Sequence, residues 1–325
     1  MSRISLSVLD SSAAILFAVV LGVFGVLSPR FFTAANLENL LVQSSSTVVV
    51  AIGMTFVLLT AGVDLSVGAI MFLAAGIAGK LLLAGFGLPL ALLAVLAAGL
   101  FGGAVNAVLI TRLQIIAFIA TLGTLYIGRG LGLWITQTRA MNLPESFLQI
   151  GTARLAGVPV PLIVSAVAVM VAHVTLSRTP FGRQLYAVGS NLVAAKKAGL
   201  NTKRLLASVY IISGLCAALG CILSLAQLGA VSPTFGTNRE FTAIAAAVLG
   251  GTSLFGGRGA VFPGTVLGAL LIQSVENGLV IINADPYLYP LVTSGIIFIA
   301  VFVDSTRQRL LASWRKRAIF IQETA

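Results

Sequence analysis

Residues 178–204 read RTPFGRQLYAVGSNLVAAKKAGLNTKR, a stretch with six Lys or Arg and no acid, set between the apolar runs 158–177 and 205–229. Each run is long enough to cross a hydrocarbon core of about 30 Å at about 1.5 Å of rise per residue. A basic segment between two such runs marks the cytoplasmic side, where Lys and Arg of short membrane loops accumulate. The fold then depends on how many further runs there are and on which side the other cations fall.

Outward from this loop, further apolar windows lie at 11–28, 45–62, 65–86, 88–110, 115–136, 241–257, 260–282 and 287–303. With the two flanking runs they predict an all-α polytopic membrane protein of about ten transmembrane helices. Of the 325 residues, 58% are apolar and 9% charged, and mean hydropathy is +1.06. A soluble domain carries about 25% charged residues and could not hide this much apolar surface. The chain reads as one transmembrane domain over 1–325, with a cytoplasmic loop at 178–204 and a basic cytoplasmic tail at 305–325. The run from Ser11 to Pro29 has no small-x-small cleavage site and reads as a retained first span. The weakest separations are at Gly62–Leu65 and Gly256–Gly259, where glycines either turn the chain or break a helix.

With the N-terminus inside and ten spans, Arg3, Arg112, the six loop cations, Arg258 and five cations of the tail fall inside, fourteen in all. Arg30, Arg139, Arg154 and Arg239 fall outside, four in all, so both termini are expected in the cytoplasm. The net charge of +11 is thus a topology signal and a contact with membrane lipid, and it does not point to nucleic acid. Two outer segments, Arg30 to Ser44 and Gln137 to Gly157, are long enough to be either solvated loops or a docking surface.

Catalytic signatures are missing from the sequence. The one histidine, His173, cannot build a metal cluster or a triad. Cys216 and Cys221 point to different faces of one helix and read as packing residues. Gly79-Lys80-Leu81 lacks the earlier glycine and the following Ser or Thr of a phosphate loop, so no ATP site is expected in this chain. The residues needing explanation are those costly in lipid. A centred Arg129 costs about 2.5–3.5 kcal/mol on insertion scales, and Glu276 is the only similarly embedded acid, so an Arg129–Glu276 contact is expected. Lys80 is expected to reach the outer interface. In Thr60-Ala-Gly-Val-Asp-Leu-Ser-Val-Gly68, Gly62 permits a sharp turn and Asp64 is placed to cap the next helix; Gly62, Asp64, Ser66 and Gly68 form either a capped turn or a gate. That break faintly resembles Gly251-Thr-Ser-Leu-Phe. Small-residue spacings such as Gly99…Gly103 and Gly264…Gly268 imply close helix packing.

Within the loop, Ser190 or Asn191 is placed to cap a short helix, Lys196 and Lys197 suit its negative end, and Gly199 suits the left-handed residue after it. Such a helix either docks in another protein or lies on anionic lipid.

Several stretches resemble the ribose/xylose/galactoside-type permeases of bacterial ABC importers: Ala51–Gly68, Phe118–Thr124 with Arg129-Gly130, Phe181–Gly189, Ala243–Gly259 and Glu276-Asn-Gly-Leu279. They run in order from about residue 37 to 305. The resemblance implies a type II importer-like permease in the bacterial inner membrane that moves a monosaccharide-type sugar. Implied partners are a second permease copy, identical or closely related, a cytoplasmic ATP-binding subunit that holds ATP and Mg, and a periplasmic sugar-binding protein. The ATPase-coupling segment is then Gly189, Ser190, Asn191, Leu192, Val193, Ala194, Ala195, Lys196, Lys197, Ala198 and Gly199. Candidate pathway residues are Asn106, Thr121, Thr124, Arg129, Gln273, Glu276 and Asn277. Arg30, Glu38, Arg239 and Glu240 are expected to meet the binding protein. Thr242 stands where the family usually carries an acid, so an outer polar contact is expected to differ. The alternative is an ion-coupled secondary transporter using Glu276, which would work alone.

Overall fold

The computed structural model describes residues 12–289 and single positions up to 302. The predicted basic tail 305–325, Arg3 and part of the window 287–303 lie outside the described residues.

The chain opens with α1 (Ser12–Leu27) and α2 (Ala34–Leu59), breaks at 60–66, and continues as α3 (Val67–Leu83), α4 (Leu88–Thr111) and α5 (Ala117–Thr136). A connection follows, with strand β1 (Met141–Asn142), helix α6 (Glu145–Thr152) and strands β2 (Arg154–Leu155) and β3 (Val158–Pro159). Then come α7 (Val160–Arg178), the short pair α8 (Pro180–Ser190) and α9 (Leu192–Lys197), and α10 (Thr202–Leu228). Strand β4 (Ala230–Val231), α11 (Arg239–Leu249), a second break at 250–260, a wide turn (Val261–Thr265) and α12 (Val266–Ile281) complete the described part. Proline stands in the first turn of α4, α7 and α8, where its missing N–H costs nothing and its fixed φ suits a helix start.

Among the described residues, six helical units are long and apolar enough to cross a membrane: α2, α4, α5, α7, α10 and the wide turn with α12. The apolar helices α1 and α3 are shorter. The protein is therefore an all-α polytopic membrane protein, and among the described residues these six units stand where about ten helices were expected. The window 241–257 yields only the 11 residues of α11, about 16 Å of helix, because Gly250 and Gly251 end it. The predicted outer segment Arg30 to Ser44 is helical from Ala34 onward. Its polar residues interrupt the hydropathy signal, yet they bond to other helices instead of fraying: Asn36 exchanges amide hydrogen bonds with Asn277 of α12, both 3.0 Å.

Helix α2 is the buried axis, with 83% of its apolar window inside the protein, whereas α4, α5 and α7 each bury 22% and turn the rest outward. An apolar helix with an outward apolar face is what lipid requires. The most extensive packing is of α10 on α4, where Gly214 and Gly99 bring the two backbones together and an added Cβ on Gly214 would collide with the Gly99 carbonyl. Small residues give this approach where no hydrophobic drive separates helix from lipid. At one end of the bundle, β1 pairs antiparallel with β4, Met141 opposite Val231. At the other end sit α8, α9 and both breaks.

Candidate functional site

Within Gly189–Gly199, Gly189 and Ser190 end α8 and Leu192–Lys197 form the short helix α9 that the sequence signals specify. Asn191 is the cap, its Oδ1 accepting from the Ala194 N–H at 2.9 Å. Lys196 and Lys197 occupy the last turn, and Gly199 follows with φ +84°. Ser190 does not cap this helix; its hydroxyl donates to the Tyr186 carbonyl at 2.8 Å. Leu192 and Val193 are 49% and 65% exposed, while Ala195 is buried against its own protein.

Beneath α9, the two breaks converge on one glycine. The Gly257 N–H donates to the Leu59 carbonyl at 2.9 Å, and Gly189 lies so close to both that a Cβ there would collide with the Leu59 oxygen. The Tyr186 hydroxyl adds a bond to the Gly259 carbonyl, 2.8 Å. The likeness between Gly62-Val-Asp-Leu-Ser and Gly251-Thr-Ser-Leu-Phe thus falls on two segments that lie against the same helix junction. Phe255, 85% exposed, and Leu254, 42% exposed, stand open on the second break. Sequence reasoning passed over them because Phe255 sat inside a window taken as a lipid-crossing span.

The first break is a polar knot. Asp64, with no exposed surface, accepts from the Ser66 N–H at 3.0 Å and the Ser66 hydroxyl at 2.6 Å through one oxygen, and from the Ser213 hydroxyl at 2.7 Å through the other. Asn106 donates to the Ser66 hydroxyl at 2.7 Å and accepts from the Thr124 hydroxyl at 2.8 Å. Thr121 bonds back to the Ala117 carbonyl of its own helix, 2.8 Å. Asp64 therefore turns the chain ahead of the helix, which starts at Val67 and not at Leu65. Gly62 lies beside the Tyr210 hydroxyl and Gly68 against the Gly236 carbonyl. The predicted pathway residues Asn106, Thr121 and Thr124 are gathered here, where Asn106 and Thr121 have no exposed surface.

Arg129 does not contact Glu276. Its guanidinium donates to the Phe235 carbonyl at 2.7 Å and to the Thr237 hydroxyl at 2.9 Å, and lies over the Phe72 ring, 5.2 Å from its centre. The acid within its electrostatic reach is Glu240. A backbone carbonyl accepts a guanidinium hydrogen bond, and a ring face adds attraction. No list of acidic residues reveals such a partner.

Gln273, Glu276 and Asn277 line a separate cavity of about 670 Å³, together with Gln43, Arg239, Phe241 and Tyr289. It lies toward the end that carries β1 and β4. Gln273 donates to Gln43 at 3.2 Å. Of the four residues expected at an outer surface, Arg30 is exposed, and Glu38 forms an exposed ion pair with Arg154 that raises the pKa of the arginine by hydrogen bonding. Arg239 is half-buried and bonds the Thr47 hydroxyl at 3.3 Å. Glu240 is 6% exposed and folds over the backbone of Gly68, so it is not presented at a surface. Thr242 lies on the cavity wall. Lys80 is exposed in the last turn of α3. Cys216 and Cys221 are buried and free, and the His173 ring packs edge-on against Phe262.

Against known proteins, the chain is 36% identical to the ribose import permease protein of Escherichia coli K12 over 92% of its length and 95% of the relative's. It is 39% identical to the D-allose transport system permease protein of the same organism, over 89% of each chain. Identity to the L-arabinose transport system permease protein of that organism is 32%, covering 91% and 90%. No solved structure matches the chain. The ion-coupled alternative finds no support among these relatives. Residues 36–302 match the family described as branched-chain amino acid transport system/permease component, and the chain belongs to that family.

Proposed function

We propose that the chain is the membrane-spanning permease subunit of an ATP-driven ABC importer that takes up a monosaccharide-type sugar across the bacterial inner membrane. The observation that carries this reading is the seating of the end of α8, directly ahead of α9, on both helix breaks, which gives an outside motor one place from which to move both. The named cargoes of the relatives, ribose, D-allose and L-arabinose, support the sugar class. In this reading the end with α8 and α9 is cytoplasmic, as the fourteen-to-four distribution of cations favours. A partner ATPase holds ATP and Mg and docks on Leu192, Val193, Ala194 and Phe255. A second permease copy completes the pathway, and a periplasmic binding protein delivers sugar to the end with β1 and β4. ATP-driven closure of the motor pulls on α9, and Gly189 passes the displacement to Leu59 and Gly257 together.

The test is reconstitution of the chain with its ATPase and binding protein in vesicles. ATP-dependent sugar uptake is expected, and Ala194→Trp is expected to abolish ATPase association because Ala194 is exposed. Uptake by the chain alone on a proton or sodium gradient would overturn the proposal. Ala195 is unsuitable for this test, since a bulky residue there would disturb the fold itself.

A further inference from the structure

The cavity between α2, α11 and α12 is more than a polar widening. Gln273 and Asn277 are 7% and 8% exposed, and polar groups at such depth in a membrane protein persist where they have work or partners. Their described hydrogen bonds use only part of what they offer. An amide carries two donors and an acceptor with two lone pairs, and the Gln273 amide makes one described bond, to Gln43. Among the described residues Glu276 accepts no hydrogen bond, so its carboxylate lone pairs are left for an occupant of the cavity. Arg239 spends one N–H on Thr47 and has others free to point into the same space. Phe241, 58% exposed, sets a flat apolar ring on the wall.

We infer that this cavity is a sugar-binding station within the permease, which contributes its own selectivity after the binding protein has released its cargo. The inference rests on the importer reading and names the part of the chain that holds the substrate. Each hydroxyl of a sugar both donates and accepts, and the site offers matching groups: amides that do both, a carboxylate that accepts, and a guanidinium that donates two bonds in fork geometry. One acid and one base leave the site without net charge, which fits a neutral polyol and disfavours an anion or a cation. A zwitterionic amino acid would also find Glu276 and Arg239, but it would leave the remaining donors and acceptors of Gln273 and Gln43 unmatched beside an apolar side chain. At about 670 Å³ the volume falls in the range of about 300–1,000 Å³ usual for small-molecule sites. The Phe241 ring offers a face for the C–H side of a sugar ring.

The test uses the complete complex in vesicles, with the binding protein saturated by each of two sugars that differ at one hydroxyl, and with leucine as a control solute. Glu276→Gln is expected to lower ATP-driven uptake about tenfold, the loss of one charge-assisted hydrogen bond, and to shift the ratio of rates for the two sugars. A role in packing alone would lower both rates together and leave their ratio fixed. Phe241→Ala, at an exposed position, is expected to lower sugar uptake and change the same ratio, so a Glu276 variant that fails to assemble does not end the test. If wild-type complex takes up sugar and neither variant alters the ratio, the station is wrong and the importer reading stands. If wild-type complex takes up leucine and no sugar, the importer reading itself fails.

Discussion

Residues 60–66 and 250–260 each follow a helix, turn the chain at the same end of the bundle and meet one another beside Gly189, yet they are built from opposite materials. The first is held by side chains: Asp64, Ser66, Asn106 and Ser213 form one bonded group with almost no exposed surface. The second is held by backbone and glycine: Gly251, Gly256, Gly257 and Gly259 all take positive φ, and its apolar tip at Phe255 stands in the open. Its one buried hydroxyl, on Thr252, has no hydrogen-bond partner. A satisfied buried network fixes one geometry, whereas a glycine segment has several within reach. The pair therefore reads as an anchor and a hinge joined at one point.

The strongest way to break this contrast is at the anchor. Asp64→Leu strands the hydroxyls of Ser66 and Ser213 and the amide of Asn106 in a dry interior, and should cost about 3–5 kcal/mol, read as a fall in the thermal midpoint of the detergent-solubilised protein. At the hinge, Gly257→Ala places a Cβ at φ +71° against Ser190 and should cost about 1–2 kcal/mol, while raising the ATP consumed per sugar delivered. Equal losses of stability from these two substitutions would erase the distinction. The smallest effect carries the opposite sign: Thr252→Val removes an unpartnered hydroxyl and should be neutral or stabilise by up to about 1 kcal/mol. A clear destabilisation there would mean that Thr252 has a partner in the working complex.

Much of this arrangement was legible in the sequence. Both breaks carry their glycines openly, and the caps of α9 are local signals written within ten residues. What was hidden depended on distant partners. The start of α2 looked like a loop because Asn36, Glu38 and Gln43 are polar, and their partners, Asn277, Arg154 and Gln273, lie far along the chain. Arg129 was paired with the wrong acid because its true acceptor is the carbonyl of Phe235, which residue type does not disclose. Glu240 looked superficial because α11 was expected to begin at a surface, whereas residues 232–238 turn inward ahead of it and bring Gly236 onto Gly68. The pathway residues separated into two places for the same reason: period and hydropathy say that a helix exists, and not which neighbour each face meets.

The two-residue pairing of β1 with β4 has a mechanical meaning. With the Leu143 N–H bonded to the Gly229 carbonyl at 2.8 Å beside it, this ladder ties the first half of the chain to the second at the end remote from α9. Backbone bonds between short strands resist separation more than they resist pivoting. In the importer reading proposed above, this ladder is the fixed point opposite the end at which a motor would pull.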